Sequence, residues 1–203
     1  MKRPPVKVIL PVCLAVLAVI VLVVTGHIPP TPPSNGSLLK IIIYTDFQCG
    51  ACGRLHSEVE PELREQYVDT GKVQIEIRLL GAMDADSVRG AEAALCAGNQ
   101  GKFLEYTDGL FSAYAEGEDP AVFSVEALVE LAAELGLDEA AFANCLNSQA
   151  HKAEVEENMN MAEADGVSTL PTVLVGDFKI EGGNKPLDTY IQAIEEELAS
   201  QAA

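Results

Sequence analysis

From Leu38 to Thr45 the chain is almost wholly apolar and β-branched, with Ile41, Ile42 and Ile43 in succession. That is the pattern of a central strand covered on both faces. Beyond Cys49 the period changes: Leu55, Val59, Leu63 and Tyr67 recur four apart, one face of a helix that ends before Asp69-Thr70-Gly71. Pro61 lies inside this stretch and predicts a kink, because it has no N–H to give and crowds the preceding turn. Val73 to Leu80 reads as a second strand, so the segment is a β-α-β unit whose helix begins at two cysteines.

The next eighty or so residues carry helical periods only. Val88 to Phe111 is alanine-rich, with a bend expected near Gly98 to Gly101. Ser124 caps a helix that Gly136 stops, Asp138 caps another through Leu146, and a third runs from about His151 to Ala164. Strand character returns at Thr172 to Val175, and Gly176-Asp177 turns the chain into Phe178 to Ile180. A last helix, Leu187 to Ala199, gathers Leu187, Ile191, Ile194 and Leu198 on one side. The order β-α-β, helical block, β-β-α predicts one α/β domain over residues 38–203 with a helical insertion at about 86–165.

Ahead of the domain, a basic stub from Met1 to Lys7 precedes an uncharged apolar run from Val8 to Val24. This is the pattern of an export signal, and the basic residues in front of it send everything after Val24 across the membrane. Residues 1–26 are therefore expected to be a signal-anchor, or a signal peptide if Val24-Thr25-Gly26 is cut. Cys13, inside the run, reads as apolar filler. Residues 27–37, with Pro29, Pro30, Pro32 and Pro33, form an extended spacer that rises about 3 Å per residue.

A body of roughly 165 residues buries about 70% of its unfolded surface and needs no disulfide to hold a core. The formal charge is -18, and with Lys2, Arg3 and Lys7 in the stub, 10 basic residues face 31 acidic ones in the remainder. Nucleic acid is excluded as a partner on that balance. Five cysteines make neither a disulfide-dense scaffold nor a repeated metal array.

Cys49-Gly50-Ala51-Cys52 starts a helix directly after a strand. Two cysteines so spaced can close and reopen a disulfide with little backbone movement. Cys49 projects from the helix N-terminus, where unpaired amides and the macrodipole stabilise a thiolate, and Cys52, one turn further in, is the more sheltered thiol. Cys49, Cys52 and His56 also fall at zinc-ligand spacing. A closed zinc site needs a fourth ligand, and an exported chain meets oxidising conditions, so no metal is assigned. His56 is then expected on the helix surface, as are His27 and His151 in their own segments. In Ser168-Thr169-Leu170-Pro171-Thr172 a proline stands before a short strand, either as a cis peptide in a tight turn or as a trans proline at the strand's first residue.

From Leu38 to the C-terminus, the run Tyr44-Thr45-Asp46-Phe47-Gln48-Cys49-Gly50-Ala51-Cys52, the helical block, and Gly166-Val167-Ser168-Thr169-Leu170-Pro171-Thr172 followed by Val175-Gly176 resemble the DsbA-like thioredoxin-fold family of thiol-disulfide oxidoreductases. The resemblance implies a thioredoxin fold interrupted by a helical subdomain. It implies that Cys49 is the nucleophile and Cys52 the resolving thiol. It makes Pro171 a cis-proline beside them, with Leu170 offering its backbone to an extended substrate segment. Two positions depart from the family pattern. An acidic residue six places before the first cysteine is replaced by Ile43, and the dipeptide Gly50-Ala51 lacks the histidine of the strong oxidants, so a weaker oxidant is expected. Cys96 and Cys145 are either free core cysteines or, as in an exported protein and in some family members, a disulfide. The expected activity is formation of disulfides in exported proteins, with their thiols as substrates, no cofactor, and a membrane quinone-linked thiol oxidase as recycling partner. The alternatives are a reductase or isomerase of the same fold, and a redox-inert binding or metal-binding module.

Overall fold

Side chains alternate along β1 (Leu39–Thr45): Leu39, Ile41 and Ile43 enter one half of the core, Ile42 and Tyr44 the other. The computed structural model describes residues 38–183 and 185–202. The expected anchor over residues 1–26 and the spacer over 27–37, with Cys13 and His27, lie outside the described residues. β1 runs parallel to β2 (Val73–Leu79) and antiparallel to β3 (Thr172–Val175), which turns through Gly176 into β4 (Phe178–Glu181). The sheet order is β2-β1-β3-β4. Gly176 has φ +55°, a turn conformation that glycine adopts without a Cβ penalty.

The first face of the sheet is covered by the helical segment after Cys49 and by the C-terminal helix, whose buried side includes Tyr190, Ala193 and Ile194. Between Gly50 and Val68 the chain stays helical but changes pitch. It passes through α1 (Gly50–Arg54), a π turn (Leu55–Val59), α2 (Glu60–Leu63) and a second π turn (Arg64–Val68). A spacing of four outruns the 3.6-residue α turn, and the two wide turns keep Leu55, Val59, Leu63 and Tyr67 in line, all buried against the sheet. The disturbance expected at Pro61 takes this form: the proline sits in the first turn of α2, where its missing N–H costs least.

The helical block runs through α3 (Ala85–Gly98), α4 (Phe103–Ala115), a 3-10 turn (Pro120–Phe123), α5 (Val125–Glu134), α6 (Glu139–Asn147) and α7 (Lys152–Ala164). The bent helix expected over Val88 to Phe111 is in fact two, because Gly101 takes φ +74° and ends the α-helical path between them. Asp84, Ser124 and Asp138 each accept a backbone N–H at the start of α3, α5 and α6. α7 lays Met161 and Ala162 over the second face of the sheet, against Ile42, Tyr44 and Leu174. Cys96 on α3 and Cys145 on α6 form a disulfide with Cα atoms 5.9 Å apart. The chain closes with α8 (Leu187–Gln201). Among the described residues no helix is long and apolar enough to cross a membrane.

Candidate active site

Three residues separate the end of β1 from Cys49, and a buried carboxylate fixes their path. Asp46 Oδ1 accepts from the Gln48 amide at 2.9 Å and the Ser87 hydroxyl at 2.7 Å, while Oδ2 accepts from the Ala82 amide at 2.8 Å. Its backbone carbonyl also accepts from the Cys49 amide at 3.1 Å. Burial pushes the Asp46 carboxyl up from its ordinary value, and the three donors oppose that rise. The carboxylate thus ties the strand end to α3 and to the loop after β2. Asp46→Asn must turn an NH2 group toward at least one of those donors, so it should lower stability by about 2 kcal/mol, a loss read directly by urea unfolding.

Cys49 occupies the N-cap of α1. Its carbonyl accepts from the Cys52 amide at 2.8 Å and the Gly53 amide at 3.1 Å, and the Cys52 amide lies 3.3 Å from Cys49 Sγ. The two cysteines form a disulfide, with Cα atoms 5.2 Å apart. Cys52 is fully buried, whereas Cys49 keeps 9% exposure and borders two clefts. One, of 510 Å³, runs from Phe47 and Cys49 past His56 to Asp108 and Phe111. The other, of 530 Å³, is walled by Leu80, Met83, Met159, Val167 and Leu170. Met83 is 54% exposed and Met159 37%, so the second cleft presents flexible apolar side chains to solvent beside the disulfide.

The Leu170–Pro171 peptide bond is cis, and Pro171 is buried at the head of β3 with its carbonyl accepting from the Gly182 amide at 2.9 Å. Leu170 lines the same cleft as Cys49, which brings together two sites 121 residues apart in sequence. Gly183 covers the dipeptide: a Cβ built there would stand 2.4 Å from the Ala51 Cβ. Ile43, at the family's acidic position, is fully buried among apolar side chains.

His56 is not the surface residue that its helical position suggested. Its side chain is 8% exposed, and the ring packs on Phe111 with centroids 4.8 Å apart. Nδ1 lies 3.2 Å from Glu60 Oε2, and Nε2 lies 2.6 Å from Asp108 Oδ1. Burial on its own pulls the imidazolium down, but the Glu60 and Asp108 carboxylates more than reverse this and raise its pKa above the ordinary histidine value. The His56/Glu60 pair was legible as an i, i+4 spacing. Asp108, on α4, was not, because 52 residues separate it from His56. His151 is also largely covered, at 17% exposure, with Nδ1 2.7 Å from Glu154 and Nε2 2.9 Å from the Asn99 amide nitrogen.

A disulfide at a strand-to-helix junction of this sheet, sharing a cleft with the residue before a cis-proline, defines the class of thioredoxin-fold dithiol proteins. The thioredoxin family profile matches residues 35–196. Among curated relatives, the "Probable disulfide bond formation protein D" of Bacillus anthracis is 27% identical over 164 residues, spanning 79% of this chain and 74% of the relative. Oxidised BdbD from Bacillus subtilis superposes with a TM-score of 0.73 at 18% identity, over 84% of this chain and 93% of that one. Chlamydia trachomatis DsbA gives 0.69 at 22% identity, over 98% and 100%. The two structural likenesses concern the fold. The chain belongs to the thioredoxin family as a DsbA-like thiol-disulfide oxidoreductase.

Proposed function

We propose that the chain is an extracytoplasmic oxidase that forms disulfides in exported proteins, with Cys49 as the attacked sulfur and Cys52 as the resolving thiol. The observation that carries this reading is the asymmetry of the pair: Cys49 borders both clefts and Cys52 is fully buried. An incoming substrate thiolate reaches only Cys49. It bonds to Cys49 Sγ, the Cys49–Cys52 bond breaks, and the electron pair leaves on Cys52. A second substrate thiolate then attacks its own sulfur in the mixed disulfide, and Cys49 departs as thiolate. The substrate has lost two electrons and two protons, and the enzyme pair has gained them.

Leu170 and Pro171 hold the substrate segment in this reading, with the Leu170 backbone beside Cys49 and the apolar wall of Met83 and Met159 under its side chains. The basic stub and apolar run at the start of the chain support delivery across the membrane, and the Cys96–Cys145 disulfide suits an oxidising compartment. A membrane quinone-linked thiol oxidase would return the reduced pair to the disulfide. The name of the Bacillus anthracis relative, a disulfide bond formation protein, supports oxidation over reduction. Equilibration of the Cys49–Cys52 pair against glutathione tests the direction: a potential above roughly -180 mV is expected, and one near about -270 mV would make the protein a reductase instead.

A further inference from the structure

The dipeptide between the cysteines holds no histidine, yet a histidine lies buried one turn beyond Cys52. Cys52 and His56 stand at i and i+4 on one helical segment, a spacing that sets Cβ atoms about 5–6 Å apart. Both are buried, and both belong to the environment of Phe111: the His56 ring stacks on it, and Cys49, Cys52, Phe47 and Phe111 share one apolar cluster. His56 also lines the 510 Å³ cleft that Cys49 borders. Each of its ring nitrogens faces a carboxylate oxygen, and a carboxylate accepts but does not donate, so the pairing favours a proton on both nitrogens, the imidazolium form.

Building on the dithiol reading above, we propose that His56, held as an imidazolium between Glu60 and Asp108, is the cation that stabilises the thiolate of the reduced Cys49–Cys52 pair. It is a positioning residue that acts through its field. The two carboxylates that keep it charged differ in setting. Glu60 lies a further turn away and is shared with Arg64 at 3.6 Å, and the Asp108 side chain is 67% exposed, where water screens it. Arg54 and Glu118 stand on the rim of the same cleft. A buried ion pair of this kind is weak as a device for stability, which favours a role in tuning the neighbouring chemistry.

The test is thiolate absorbance titrated against pH, together with the glutathione equilibrium constant, in the full chain and in two variants. His56→Gln removes the cation and should raise the thiolate pKa by about one unit. It should also shift the equilibrium about tenfold toward the disulfide, or about 30 mV to more negative potential. Asp108→Asn removes one of the two carboxylates that keep the ring protonated, so it should move both quantities the same way by a smaller amount, whereas loss of a nearby negative charge acting by itself would move them the other way. Shifts in the same sense, larger for His56→Gln, support the proposal, and a purely structural clamp would instead lower the melting temperature of both variants with their thiolate titrations unchanged. Titrations that superimpose on wild type would overturn it. If His56→Gln does not fold, the direction of the Asp108→Asn shift decides alone. Failure of the wild-type protein to exchange thiols at all would sink the oxidoreductase chemistry itself, a result distinct from either variant's.

Discussion

Replacing Cys52 with serine is expected to leave substrate protein attached covalently to Cys49, while Cys49→Ser attaches nothing and turns over no dithiol. In Cys52→Ser the Cys49 thiolate attacks a substrate disulfide, the substrate S–S bond breaks, its other sulfur leaves as thiolate, and only a second thiol releases the mixed disulfide. In the wild type the buried Cys52 thiol, one helical turn away, can always attack Cys49 and displace the substrate. Without it the adduct waits for a second substrate thiol and accumulates. Cys49→Ser keeps a sulfur at position 52, but that sulfur is fully covered and meets no substrate. Non-reducing electrophoresis of the two variants, each in the thiol form, after incubation with a disulfide-bonded, unfolded protein reads the difference as a band that dithiothreitol removes. Equal trapping by both variants would contradict the assignment of roles, and the loss in turnover for Cys49→Ser should reach the background of the assay.

The second large effect concerns stability rather than chemistry. The Cys96→Ala, Cys145→Ala double variant opens a bridge with a sequence separation of 49, and in the chain-entropy model a loop of that length contributes about 4 kcal/mol. For a domain of this size that corresponds to a fall in melting temperature on the order of ten degrees. The bridge joins α3 to α6 inside the helical block, whereas the Cys49–Cys52 pair sits at the strand-to-helix junction. Dithiol exchange at low temperature should therefore persist in the double variant. A melting temperature unchanged from the wild type would mean that the reduced, unfolded chain keeps enough structure for the cross-link to add nothing.

The alternation and β-branching of residues 38–45, the period of four from Leu55 to Tyr67, and the caps at Ser124 and Asp138 determined the elements directly. In each case the signal is local: a strand or helix face buries residues at fixed spacing, and an N-cap answers amides two or three residues on. The two cysteines at a helix start and the proline before β3 were legible for the same reason, and together with the family resemblance they placed the dithiol pair. What the tertiary structure alone decided depends on contacts between distant segments. Whether Val88 to Phe111 was one bent helix or two hung on the left-handed backbone of Gly101. The meeting of Leu170 with Cys49 came from β1 and β3 pairing across the insertion. His56 was misplaced on the surface because nothing within one helix reveals that α4 closes over it with Phe111 and Asp108. The sequence by itself determined where the Cys49 and Cys52 pair stands, at a strand-to-helix junction. Only the packing of a remote helix against that site determined which charges surround His56, because burial and electrostatic pairing are properties of the assembled fold and not of any one segment.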